Sequence, residues 1–240
     1  NYFYFLYCFR LLFTGFILLG NWQVRRLAWK RDLIAHVDQR VHAPPVAAPG
    51  PAQWASVNAQ DDEYKHVSLT GTFLNDRQTL VWAATDEGSG FWVVTPLRLA
   101  DGSIVLINRG FAPEDWCGRN GQCAAGPGGE VTMTGLLRMS EPSAWMRHND
   151  PAKNSWYTRD VAAIAAARGL KDVAPYFVDA DATSHDADHP SWPEGGMTVI
   201  NFPNNHLSYL ITWYVLALMV LAGSLYVGYD EYRLRHPKTP

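Results

Sequence analysis

Apolar positions are distributed unevenly along this chain, and their pattern divides it into three parts. From Tyr2 to Gly20 the run is apolar apart from Arg10, and from Leu207 to Tyr229 it carries no charge at all. Between these runs the apolar positions become short and periodic. At ~1.5 Å per residue the second run spans roughly 34 Å, enough for a hydrocarbon core of ~30 Å. Tyr209, Trp213 and Tyr214 stand near one end of it, with Tyr226, Tyr229 and Tyr232 near the other. This is the aromatic pattern of a helix crossing two interfaces. The first run contains one costly residue. A mid-membrane Arg costs about 2.5–3.5 kcal/mol, whereas each Leu, Ile or Phe returns roughly 0.3–0.6. Its many such residues leave the sum favourable, and Arg10 can snorkel. A cleaved leader is the competing reading, but no small-residue cleavage site follows the run.

Trp22 to His42 keeps helical spacing through Leu27, Leu33, Ile34 and Val37. Ala43 to Pro51, rich in Pro and Ala, predicts a semi-rigid linker. Strands are predicted over Val67–Phe73, Thr79–Ala83, Phe91–Leu97, Ile104–Asn108, Val131–Met139, Tyr176–Ala180 and Met197–Ile200. Asp101-Gly102 predicts a primed hairpin turn. Arg159 to Arg168 reads as an Ala-rich helix closed by Gly169. The expected fold is therefore an α+β membrane protein. Two transmembrane helices flank a mostly antiparallel, barrel-like β domain outside the cytoplasm. The expected divisions are transmembrane helix 1–21, interfacial helix 22–42, linker 43–63, β-rich domain 64–202, transmembrane helix 203–230 and cytoplasmic tail 231–240.

Charge sets the orientation and removes one function class. A net charge of −3 gives no electrostatic basis for binding nucleic acid. Arg233, Arg235, His236 and Lys238 follow the second run, so the C-terminus is expected to be cytoplasmic. Two crossings place the N-terminus there too. Arg25, Arg26, Lys30 and Arg31 oppose this, but they open a long translocated segment, and such segments cross largely regardless of charge. The sequence begins with Asn rather than Met, which points to further residues upstream.

His206 is the sharpest candidate for chemistry. It follows Pro203-Asn204-Asn205, where an Asn is expected to cap the helix start. Neutral imidazole is the form that ligates iron, and a helix N-terminus attracts carboxylates. Tyr209, Leu210 and Trp213 follow on the same helical face, a possible platform for a porphyrin. The plainer reading is an interfacial His. His185 and His189, with Asp186 and Asp188 between them, have metal-like spacing but lie in a stretch without helical periodicity. A solvated acidic loop fits that stretch better. Arg109 ends a strong strand and could clamp a carboxylate, or be an ordinary turn charge. Trp22, Gln23, Arg25, Arg26, Trp29 and Lys30 form a basic aromatic surface suited to lipid headgroups or a partner. Cys117 and Cys123 flank a Gly-rich loop and can form a disulfide in an oxidising space. Their spacing supports neither zinc nor redox catalysis. No nucleophile elbow, Cys/His pair or phosphate loop is present.

Five stretches, in order, resemble the Surfeit locus protein 1 family. They are Leu19-Gly20-Asn21-Trp22-Gln23 with Arg26 and Trp29-Lys30, Leu69-Thr70-Gly71-Thr72-Phe73, Val105 to Phe111 with Pro113, Asn154-Ser155-Trp156-Tyr157 with Arg159-Asp160, and Pro203 to Leu207 with Tyr209, Thr212-Trp213-Tyr214 and Leu216-Ala217. The resemblance implies a non-enzymatic assembly factor for a haem–copper terminal oxidase, assisting haem insertion into the catalytic subunit. It implies transient haem (a or o type) at His206, with Tyr209 and Trp213 beside it. Trp22, Gln23, Arg26, Asn108 and Arg109 become interaction candidates. The implied partners are the oxidase catalytic subunit, haem-synthesis enzymes and the lipid bilayer. The implied location is the bacterial or mitochondrial inner membrane. A structural accessory subunit that stays on the oxidase without handling haem is the alternative. Arg10, Phe111 in place of a Trp, and the Cys117–Cys123 loop depart from the family pattern.

Overall fold

The computed structural model describes residues 2–117, 123, 126–143, 148–182, 192–198, 200, 202 and 204–236. His185, Asp186, Asp188, His189, Pro203 and Lys238 lie outside the described residues. The chain divides into two units, one of Asn1–His36 with Asn201–Pro240 and one of Val37–Ile200.

The first unit is a helix pair. Helix α1 runs unbroken through Tyr2–Val41, across the expected division at 21/22. The C-terminal helix, labelled α4, covers His206–Arg235. Among the described residues α4 is the one helix long and apolar enough to cross a membrane. Leu218, Met219 and Leu225 on its surface are exposed. The two helices interlock through small and aromatic residues. A Cβ at Gly20 would stand 2.8 Å from the Tyr214 ring, so glycine makes room for that ring. The Tyr214 hydroxyl donates to Asn21 Oδ1 at 2.8 Å. Phe16 and Trp213 stack with centroids 5.8 Å apart.

The second unit is built on strands β1 (Val46–Ala47), β2 (His66–Phe73), β3 (Thr79–Thr85), β4 (Gly88–Leu99), β5 (Ile104–Pro113), β6 (Glu130–Met139) and β7 (Val173–Ala180), with helices α2 (Ala59–Asp62) and α3 (Val161–Ala167). The strand order is β1-β2-β6-β7-β5-β4-β3, and β2 also pairs with β4. That extra pairing closes β2, β6, β7, β5 and β4 into a five-stranded barrel. It is mixed: β5 and β7 run parallel, as do β1 and β2, and the other pairs are antiparallel. Closure pairs the ends of β2 and β4 that an open sheet would leave unpaired, while β1 and β3 stay outside the ring.

Period-two alternation sorts the side chains. Val67, Leu69, Leu97, Val105, Ile107, Leu137, Tyr176 and Val178 fill the barrel. On the opposite face Val81, Val94, Leu106 and Phe177 pack with Trp156 and with Val161 and Ile164 of α3. Helix α3 starts where Asp160 accepts from Ala163 N–H. It ends with Gly169 at φ +63, where Gly169 and Leu170 N–H bond back to Ala166 and Ala165. This is the glycine termination expected for the Ala-rich segment.

Three expectations need correction. The segment predicted as a linker is packed against the barrel: Ala48, Trp54 and Val57 lie on its core. The Pro49 carbonyl accepts from the Tyr176 hydroxyl at 2.7 Å and from Trp54 Nε1 at 3.0 Å. Pro and Ala gave this segment a linker's composition, but Trp54 supplies the apolar area that holds it. The Asp101-Gly102 turn is not a primed one, because only Gly102 has positive φ (+85). Gly102 N–H bonds to Leu99 O, and Asp101 Oδ1 accepts from Ser103 N–H. Finally, Met197, Thr198 and Ile200 form no strand. Here the chain instead lays Glu194 across Phe111, with backbone bonds of 2.7 and 2.9 Å. The structure joins Cys117 to Cys123 by a disulfide.

Candidate functional site

In the helix pair, Gln23 and His206 meet. Gln23 is 6% exposed, and its Oε1 lies 2.8 Å from His206 Nδ1. An amide oxygen only accepts, so Nδ1 carries the proton. In the neutral ring Nε2 then carries the lone pair, and it has no partner among the described residues. One bond thus fixes both the tautomer and the ring orientation, as second-sphere partners do for ligating histidines. Asn205 stands at the N-cap of α4, but its side chain makes no cap bond. Tyr209 is exposed, whereas Trp213 is already stacked on Phe16. Trp22 is exposed, and the Arg26 guanidinium lies 4.0 Å from the Trp29 ring centroid. The ammonium of Lys30 lies over the Phe202 ring.

In the barrel unit, β5 delivers Asn108 and Arg109 to opposite faces. Asn108 is buried and donates to Asp179 Oδ1 at 2.8 Å. Its own Oδ1 accepts from Gly110 N–H at 3.2 Å. Gly110 has φ +123, and a Cβ there would fall on the Glu194 carbonyl, so only glycine fits. The sequence Asn108-Arg109-Gly110 therefore makes a bend that one side chain braces from within.

Asp179 gathers a charged cluster that motif reading did not foresee. It is 3% exposed. It accepts from Arg138 at 3.0 Å, Arg159 at 3.0 Å and Thr198 at 3.0 Å. Arg159 also grips Glu141 through Nη2 at 2.6 Å and Nε at 3.1 Å. Burial alone would raise the Glu141 pKa, but the hydrogen bonds and charge of Arg159 hold it below the ordinary value. The cluster lines a cavity of ≈ 200 Å³ together with Trp92. A signal was present in the sequence: Arg138 and Asp179 are charges inside otherwise apolar strands. Among the described residues no cluster of metal-ligating side chains is present.

His66 sits between two acceptors. Nδ1 faces the Ala43 carbonyl at 2.8 Å and Nε2 faces Asp181 Oδ2 at 2.7 Å. Only imidazolium satisfies both. Burial opposes the charge, but the Ala43 and Asp181 bonds outweigh it and raise the pKa above 6.5.

Two outcomes are expected. Asp179→Ala would leave two guanidiniums without their shared partner, a loss of about 3–5 kcal/mol. Thermal unfolding of the full chain in detergent, followed by circular dichroism, measures it; a change below ~1 kcal/mol would contradict the arrangement. His66 has a raised folded pKa, so its contribution is complete below pH 6.5 and is lost as pH rises through that folded value. Asp181→Asn should flatten this decline. An undiminished slope in the variant would assign the decline to another group.

The chain was also compared with known proteins. A family model described as SURF1 family matches residues 11–218, a span holding both Gln23 and His206. A SURF1-like protein of Monosiga brevicollis is 36% identical over 218 residues, which cover 85% of this chain and 80% of that protein. Surfeit locus protein 1 of Homo sapiens is 33% identical over 232 residues, covering 89% of this chain and 73% of that protein. The mouse protein of the same name, from Mus musculus, is 32% identical over 236 residues, with 91% and 72% covered. With one model spanning most of its length and relatives aligned over most of theirs, this chain belongs to the SURF1 family.

Proposed function

We propose that this chain is a non-enzymatic assembly factor of a haem–copper terminal oxidase that holds haem transiently for insertion into the catalytic subunit. Family membership supports the oxidase role. The observation that carries the haem reading is the Gln23–His206 bond. In the neutral ring it leaves Nε2 unprotonated and, among the described residues, without a partner at the start of α4. Haem, when bound, supplies an iron that such a nitrogen ligates. Gln23 acts as a positioning residue: it orients the ring and holds the proton on Nδ1. Gly20, Asn21 and Tyr214 set the helix spacing that lets Gln23 reach His206.

The same reading makes α1 and α4 two membrane crossings of an inner membrane, bacterial or mitochondrial, with the barrel on the outer side. Arg233 and Arg235 in the last turn of α4 favour a cytoplasmic or matrix C-terminus.

Two measurements test this. Full-length protein purified in mild detergent should carry a haem absorption band. The band should disappear in His206→Ala and weaken about tenfold or more in Gln23→Leu, the range for lost second-sphere partners. Full haem occupancy in both variants would reject the site. One-to-one retention of the chain on mature oxidase, with no haem of its own, would favour a structural accessory subunit. A phosphatase reporter fused at the C-terminus should stay inactive; activity there would reverse the orientation.

A further inference from the structure

Arg109 is a half-buried cation at the mouth of the barrel. On β5, Val105, Ile107 and Arg109 share one face, and the first two are wholly buried in the barrel core. Arg109 continues that inward row to the barrel's end. There Phe73 of β2, Val131 and Met133 of β6 and Ala180 of β7 surround a cleft of ≈ 400 Å³ that Arg109 also lines. The guanidinium carbon lies 5.4 Å from the Phe73 ring centroid.

No anion answers this charge among the described residues. Nη1 is buried without a hydrogen-bond partner. Among the described residues the other guanidinium nitrogens also make no hydrogen bond. Burial pushes the Arg109 pKa down, and no carboxylate among the described residues opposes it. Asp181 lines the same cleft, but its carboxylate is engaged by His66 and Thr134. Arg138 and Arg159 make the contrast plain: both are half-buried like Arg109, and both are paired with carboxylates. A desolvated, unpaired cation is costly, and an anion arriving from outside would remove that cost.

The surroundings restrict what that anion is. The walls are mostly apolar, with Thr132 and Thr134 among them, and the mouths of barrels are common ligand sites. A planar guanidinium matches a carboxylate through two parallel bonds. Asp181 would repel a dianion, so a single negative charge is favoured. We propose that the barrel mouth binds a small amphiphilic monocarboxylate, its carboxylate on Arg109 and its apolar body against Phe73, Val131 and Met133. This site is independent of the haem reading, since neither His206 nor Gln23 takes part.

Calorimetric titration of the full chain in non-ionic detergent, with hexanoate, hexan-1-ol and inorganic phosphate as probes, tests the proposal. Hexanoate should bind saturably and more tightly than either of the others. Arg109→Met should weaken hexanoate by about tenfold or more, the value of a hydrogen bond to a charged group. The same variant should melt at a higher temperature, because it removes a half-buried charge that no described carboxylate pairs. Met133→Trp fills the cleft while keeping Arg109, and should also abolish hexanoate binding; it carries the test if Arg109→Met does not fold. Phosphate binding as tight as hexanoate would overturn the amphiphile assignment. Binding unaltered in both variants, or no stronger for hexanoate than for hexan-1-ol, would overturn the site.

Discussion

At Gly71 strand β2 is paired on both sides at once, with Val131 of β6 and with Leu99 of β4. A Cβ at this position would fall on the Arg98 carbonyl. Glycine is thus what allows β4 to come back onto β2 and close the ring. An open sheet would separate Phe73 from Leu97 and leave residues 71–73 and 97–99 each unpaired on one side. It would also lose the enclosed interior that buries Ile107, Leu137 and Val178. The inward row on β5, the mouth lined by Phe73 and Met133, and the outer face that receives α3 all presuppose this closure.

Strand β5 serves two environments because it alternates. Its inward residues build the barrel core and finish at Arg109. Its outward residues, Leu106 and Asn108, meet Phe177 and Asp179 of β7 through a parallel register. The two charged sites are therefore separated by one pleat. One is closed by its own counter-charges, and the other has none among the described residues. The Asp179 cluster holds the outer layer together, while Arg109 has no carboxylate partner among the described residues.

Much of this could be read from the sequence wherever periodicity carried the information. The apolar runs that became α1 and α4 were legible, as were six of the strands and the glycine end of α3. What escaped was set by distant partners. Nothing local tells Pro49 that the Tyr176 hydroxyl will find its carbonyl. Asn108 and Asp179 lie 71 residues apart, and only the parallel β5–β7 pairing joins them. The Asp101-Gly102 dipeptide suits either a primed turn or one with a single left-handed glycine, and the neighbouring Ser103 bond tips it to the latter. The resemblance brought Gln23 and His206 into view as separate positions, but their hydrogen bond needed the helix pair.

The segment before β2 has a bearing on how the domain forms. Tyr176 is wholly buried on the last barrel strand, yet its hydroxyl is satisfied by Pro49, 127 residues earlier. An unmatched phenol in an apolar core is unfavourable, so the core is incomplete until chain from both ends of the domain has met. Contacts of such long sequence separation are slow to form. The barrel thus has no early, self-sufficient half. Its effective beginning is Val37 rather than Tyr64, and a chain shortened to start at β2 would expose a seam that Trp54 and Val57 normally cover.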